Sequence, residues 1–251
     1  MRRRIVLISL LVVLVGITIW VTNMGKVGIF NVFTYEDIFV FSLDHLVMVF
    51  WPLLFGIVIG VFLGVIVTRP GFSRLSVPVI GLVSMGQAMP SLAVIAIMAI
   101  LPLSLWGFFN FGFNFQTAVV ALLIYGLMPI LRNSYASVNN IDRAIIESAE
   151  GMGMTKWQIF RKIELPMALP VIITGIRISA VVTVGTAELA VLVGGKGLGT
   201  ITFTGVFAQQ PLIIIQGAAP TAILAISLGI ALELIENWIT PRGLKIRAGN
   251  S

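Results

Sequence analysis

Six apolar runs, each close to twenty residues or longer, decide what this chain can fold into: 5–22, 46–67, 78–101, 117–138, 167–193 and 212–237. Coiled at about 1.5 Å per residue, a run of that length matches the hydrocarbon thickness of a bilayer. No water is present there to satisfy backbone N–H and C=O groups, and a helix satisfies them within one segment. The expected fold is therefore all-α: a polytopic membrane protein with six transmembrane helices. A mean hydropathy of +1.07 with only 10% charged residues excludes a soluble globular domain. Zero cysteines remove disulfides, thiolate metal sites and cysteine nucleophiles together. A single histidine, His45, is too few for a histidine metal cluster, and no metal or catalytic residue is expected.

The first run follows Arg2, Arg3 and Arg4, as in a signal peptide, but no small-residue cleavage site follows it, so it reads as an uncleaved anchor. With the N-terminus in the cytoplasm, thirteen of the sixteen basic residues fall inside: Arg2, Arg3, Arg4, Arg69, Arg74, Arg132, Arg143, Lys156, Arg161, Lys162, Arg242, Lys245 and Arg247. Lys26 and Lys196 fall outside, and Arg177 lies within the fifth run. Basic residues collect on the cytoplasmic side, so both termini are expected there, in the cell membrane. The pI of 10.2 then reflects topology and lipid contact, and no nucleic-acid partner is expected. Trp106, Phe108, Phe109, Phe111, Phe113 and Phe115 crowd one outer loop. They read either as an interfacial aromatic belt or as a lid or docking surface for an extracellular partner.

One polar stretch, residues 140–166, interrupts this apolar sequence and reads as two short helices. Asp142 is placed to cap the first, Gly151 and Gly153 end it, and Thr155 with Gln158 forms a capping-box pattern for the second. Leu165-Pro166 returns the chain to the bilayer, with the proline suited to a first helical turn. A helix, glycine turn and helix with basic residues also describes a DNA-binding motif, but spans at both ends would pin it against the membrane. A solvated connector is the blander reading. Against it stand Ile145, Ile146, Met152, Met154 and Trp157, apolar residues of little use to a loop with no partner.

The sequence Glu147-Ser148-Ala149, then Gly153 six residues after the Glu, then Ile163-Glu164-Leu165-Pro166 resembles the loop by which importer-type ABC permeases grip their ATPase subunits. The family pattern has Glu-Ala-Ala; Ser148 replaces the first alanine and keeps a small side chain. The resemblance implies an ATPase-coupling loop carried by Glu147, Ser148, Ala149, Gly153, Met154, Ile163, Leu165 and Pro166, with residues 147–154 as the docking segment. Further strings resemble the osmoprotectant branch, which carries glycine betaine, carnitine or choline: Asp44-His45-Leu46, Val67-Thr68-Arg69-Pro70, Gln87-Ala88-Met89-Pro90-Ser91-Leu92, Gly151-Met152-Gly153-Met154-Thr155 and Gly185-Thr186-Ala187. The similarity covers about residues 44–237.

What the resemblance implies is the type I ABC importer permease fold, divided into an anchor and outer loop at 1–45, a permease domain at 46–240 and a basic tail at 241–251. It further implies a cytoplasmic ABC ATPase dimer that binds ATP and Mg, a second permease copy or homologue facing this one, and a separate extracellular or periplasmic substrate-binding protein. No fused binding domain is expected in this chain, no cofactor of its own and no enzymatic activity. Quaternary ammonium ions are held by aromatic cages; in this family the cage belongs to the binding protein, so the phenylalanines and tryptophans here are expected to pack or to face lipid.

Ionisable and polar groups inside spans mark candidates for the translocation pathway. Gln87, Pro90 and Ser91 interrupt the third span with helix-bending chemistry, as a gate would, and Tyr125 is a further candidate. Arg177 and Glu188 share a face of the fifth span but stand about 16 Å apart, too far to pair. Glu188 could meet a cation or cap a polar interface; Arg177 could pair with a neighbouring permease or a carbonyl, or touch solute. Gly56, Gly60 and Gly64, four apart, predict close helix packing. The glycine-rich run from Gly194 to Thr200 lacks the spacing of a phosphate loop and falls on the outer face, where a flexible hinge is expected. An amino-acid permease is the nearest alternative. An ion-coupled carrier would show paired broken repeats and no docking loop, and a membrane enzyme would need more catalytic groups than this chain has.

Overall fold

The computed structural model describes residues 2–25, 33–100 and 114–239, and all regular structure among them is helical. Helix α1 spans Arg2–Gly25 and α2 spans Tyr35–Ile66. A 3₁₀ turn at Ser73–Leu75 leads into α3 (Ser76–Ala88) and then α4 (Ser91–Ile100). After α5 (Phe115–Asn139) come the short α6 (Arg143–Gly151) and α7 (Lys156–Ile159). A π-helical turn at Phe160–Glu164 joins α7 to α8 (Leu165–Ala187). A 3₁₀ segment at Glu188–Val193, α9 (Gly199–Phe207) and α10 (Pro211–Ile239) complete the chain. The aromatic residues Trp106, Phe108, Phe109, Phe111 and Phe113, together with Lys26 and the basic tail, lie outside the described residues; Phe115 opens α5 and is exposed.

Helix starts are fixed by local chemistry. At α2, Thr34 Oγ1 accepts from Asp37 N at 3.2 Å while Asp37 Oδ2 accepts from Thr34 N at 2.8 Å, which satisfies two otherwise orphaned donors. At α5, Asn114 Oδ1 accepts from Thr117 N at 3.0 Å. Among the described residues, α2, α5, the unit Lys156–Val193 and α10 are long and apolar enough to cross a membrane. The span expected at 78–101 is two helices, α3 and α4, bent by 98°. In α1 the apolar stretch described is Leu11–Trp20.

Helix α5 is the centre of the bundle. It buries Ala118, Ala121, Leu122, Met128, Ile130 and Leu131, whereas α10 and α2 keep broad apolar faces outward. Helix α2 runs parallel to α5, with Gly60 against Ile130 and Gly64 against Ser134. Helix α8 runs antiparallel to α5: Ser179 Oγ donates to Gly126 O at 2.7 Å, and Gly175 packs on Pro129 and Asn133. Helix α10 lies antiparallel to α8, and α1 packs on α10. The main core joins Met48 and Val49 of α2, Val94 and Ile95 of α4, Leu122 and Tyr125 of α5 and Val184 and Ala187 of α8. This register brings the end of α2, the end of α5, the start of α8 and the end of α10 to one end of the bundle. Helices α6 and α7 sit at that end.

The glycine-rich segment at the opposite end is not a free hinge. Gly195, Gly197, Leu198 and Gly199 are buried, and the Gly197 backbone lies against the His45 ring and Cα. His45 Nε2 in turn lies 3.0 Å from Val184 O. The packing follows from the helix end: α8 tightens into a 3₁₀ segment at Glu188, the Glu188 N–H turns to Thr186 O, and the carbonyl four residues before it takes the imidazole.

Candidate functional site

Helix α6 is an amphipathic helix capped at both ends. Asp142 Oδ1 accepts from Ala144 N at 2.9 Å at its start. At its end, Met154 N donates to Ala149 O at 3.1 Å and Gly153 N donates to Glu150 O at 2.9 Å. This pair of bonds needs a left-handed residue between them, and Gly153 supplies it with φ +79°. The glycine six residues after Glu147 is thus where the helix must stop. Thr155 then opens α7 in a full capping box: Thr155 N donates to Gln158 Oε1 at 2.8 Å and Gln158 N donates to Thr155 Oγ1 at 3.3 Å.

The predicted loop residues separate by exposure. Glu147, Ser148 and Gly153 face water, and Glu147 has no ion pair among the described residues. Ser148 Oγ bonds back to Ala144 O at 2.6 Å. Ala149 is fully buried, so it seats the helix and offers no contact surface to a partner. Met154, Ile163, Leu165 and Pro166 are half-buried and fix the entry to α8, with Pro166 in its first turn. Of the apolar residues of the insert, Met152 is 74% exposed and Trp157 65% exposed; Ile145, Ile146 and Met154 are half-buried. A groove of about 850 Å³ opens between the loop and the end of α2, lined by Val61, Phe62, Arg69, Ile146, Trp157 and Phe160 among others.

Four of the six pathway candidates meet at the break in the third span. Pro90 has no N–H to continue α3, and the chain turns there, with Ser91 beginning α4. Helix α5 holds the turn open. Gln87 Nε2 donates to Tyr125 O at 2.8 Å, and the Tyr125 hydroxyl donates to Met89 O, a carbonyl freed by the break. Met89 and Pro90 remain exposed beside it. Tyr125→Phe removes that donor; hydrogen bonds between membrane helices are worth about 0.6 kcal/mol on average and at most about 1.7. A Tm lowered by a few degrees in detergent is expected, and an unchanged Tm would show that the break stands without it.

The other two candidates lie elsewhere. Glu188 sits where α8 becomes 3₁₀, half-buried, with Thr202 Oγ1 3.4 Å from its Oε1. Arg177 is paired within the chain, to Glu233 at 3.5 Å and Glu236 at 3.3 Å on α10; Thr174 Oγ1 also donates to Glu236 at 2.8 Å. Within the chain its charge is thus met by two carboxylates of α10. The sequence signal for its partners was present: two carboxylates three residues apart inside the sixth run, which an intramembrane arginine one helix away neutralises.

A bundle of membrane-length helices holding one broken helix open, with a capped, water-facing helical loop at one end, defines a membrane transport component. The chain belongs to the family described as binding-protein-dependent transport system inner membrane component, whose sequence profile matches residues 56–244. It is 39% identical over 202 residues to the glycine betaine/carnitine/choline transport system permease protein OpuCB of Bacillus subtilis (strain 168), covering 80% of this chain and 88% of that protein. It is 34% identical over 205 residues to the osmoprotectant import permease protein OsmY of Salmonella typhimurium, covering 82% of this chain and 83% of that protein. Among solved structures, an inward-facing form of the MetNI methionine ABC transporter matches with a TM-score of 0.69 at 27% identity, over 81% of this chain and 96% of that one. The osmoprotectant resemblance read from the short motifs thus extends over 80–82% of the chain, and its place is the inner membrane.

Proposed function

We propose that this chain is the permease subunit of an ATP-driven importer of compatible solutes such as glycine betaine, choline or related quaternary ammonium osmolytes. The observation that carries the reading is its 39% identity, over most of both chains, to a permease named for those solutes. Both termini and the α6–α7 loop face the cytoplasm in this reading, six spans cross the membrane, and two permease chains face each other around one path. A separate binding protein delivers the solute from outside. An ATPase dimer docks on Glu147, Ser148, Gly153 and the exposed Met152, and hydrolysis takes place there, outside this chain. ATP binding closes the ATPases and displaces α6; the displacement opens the path outward past the α3–α4 break, with Glu188 near its outer end. A cation moving along that path meets the exposed Met89–Pro90 turn and one carboxylate, Glu188.

Likeness to a methionine transporter favours a second reading, an amino-acid permease. The two separate in proteoliposomes holding the permease with its ATPase and binding protein. Uptake of labelled glycine betaine, displaced by excess choline or carnitine and unaffected by methionine, is the expected result. Methionine displacement without osmolyte displacement would replace the first reading by the second.

A further inference from the structure

Arg69 lies in the turn Val67–Pro70, between the end of α2 and the 3₁₀ turn that leads into α3. Its Nη1 is 2.7 Å from Glu164 Oε2, and its guanidinium carbon stands 4.9 Å from the centre of the Phe160 ring. Phe160 and Glu164 are the first and last residues of the π-helical turn between α7 and α8. One guanidinium thus meets both ends of a single widened turn, over the ring at Phe160 and by its charge at Glu164. Arginine suits both tasks because its planar group stacks on a ring while its N–H fork meets a carboxylate; a lysine ammonium has no such plane. π-turns are rare and persist where surrounding contacts hold them, often at functional positions.

The clamp sits between two features already described. On one side, Trp157 packs on Phe160 with ring centres 5.6 Å apart, and α7 follows directly on the Gly153 turn of α6. On the other, the chain runs from Arg69 through Ser73–Leu75 into α3, whose far end carries Gln87 and the α3–α4 break. Around the clamp the groove of about 850 Å³ separates α2 from the loop, leaving room for the loop to move without α2 following. Arg69 bridges that opening.

We propose that Arg69 is a positioning residue for transport: it ties the π-turn Phe160–Glu164 to the α2–α3 turn, so that displacement of α6 moves α3 and the broken helix and is not absorbed in the groove. This rests on the reading of α6 as the ATPase dock. The test uses proteoliposomes holding the permease, its ATPase and its binding protein, with ATP hydrolysis and solute uptake measured together for wild type, Arg69→Gln and Arg69→Lys. For Arg69→Gln the ATPase co-purifies as with wild type and hydrolyses ATP, while solute moved per ATP falls at least fivefold. Arg69→Lys, which keeps the charge and loses the stacked plane, recovers part of the ratio. If Arg69→Gln fails to insert, Phe160→Leu replaces it, removing the ring and keeping the ion pair, with the same loss expected. A wild-type ratio in the variant that inserts overturns the clamp while leaving the dock intact. Absence of any ATPase from the wild-type preparation overturns the dock, and the clamp with it.

Discussion

Valine at Gly64 is expected to abolish the folded bundle. A Cβ at that position would lie 2.6 Å from the Ser134 Cβ and 2.7 Å from Leu131 O, so α2 could accept it only by moving away from the α5 backbone. Overpacking of this kind costs about 1–3 kcal/mol and more where backbone must shift, and α5 is the helix on which the rest of the bundle packs. The three glycines of α2 form a graded series. At Gly56 a Cβ would meet Ile130 Cδ1 at 3.5 Å, ordinary contact; at Gly60 it would meet Ile130 Cγ2 at 2.9 Å. The two helices therefore converge toward the end that carries α6. Alanine should be tolerated at Gly56, lower the yield at Gly60 and fail at Gly64, read as monodisperse protein recovered in detergent. Equal recovery of all three would show that α2 and α5 do not approach as described.

Glu147→Lys and Gly153→Val are each expected to lower solute uptake tenfold or more while leaving insertion and Tm near wild type. Glu147 is exposed, with its carboxylate free of intramolecular ion pairs among the described residues, so reversing its charge disturbs a partner and not the fold. A docking residue of this kind accounts for about 1.4 kcal/mol or more, which is tenfold in affinity. Gly153 acts differently. Nothing lies within 4 Å of its would-be Cβ, so space does not forbid a side chain; the left-handed φ of +79° does, and a β-branched residue there unwinds the turn that ends α6. Uptake measured beside membrane abundance separates both variants from misfolding. Wild-type uptake in both would remove α6 from the coupling path.

How much of this was legible beforehand depended on whether the physics was local. Apolar runs and caps are local, so α5 and α10 fell close to their expected bounds, and Asp142, Thr155 and Gln158 cap as their spacing indicated; α2 instead starts at Tyr35, ahead of its expected run at 46–67, because Thr34 and Asp37 form a capping box there. The polar interruption at Gln87–Ser91 was visible, but its consequence, a 98° bend braced by Tyr125, depends on where α5 stands. The glycines at 194–199 read as a hinge because glycine permits motion; Gly195, Gly197 and Gly199 are instead buried, Gly197 against His45, some 150 residues earlier in sequence. Arg177 found its carboxylates on α10, a pairing no spacing within one helix reveals. Ala149 belongs to the coupling-loop motif by sequence and is buried by the facing of its helix.

The central claim is that α6 is the dock for a separate ATPase. It is tested most directly by purifying the chain in mild detergent from cells that also express the ATPase and asking what accompanies it. The account predicts that wild type brings the ATPase down in stoichiometric amount and that Glu147→Lys does not, with both permeases equally abundant and equally stable. Recovery of the ATPase by both alike, or by neither, would contradict it.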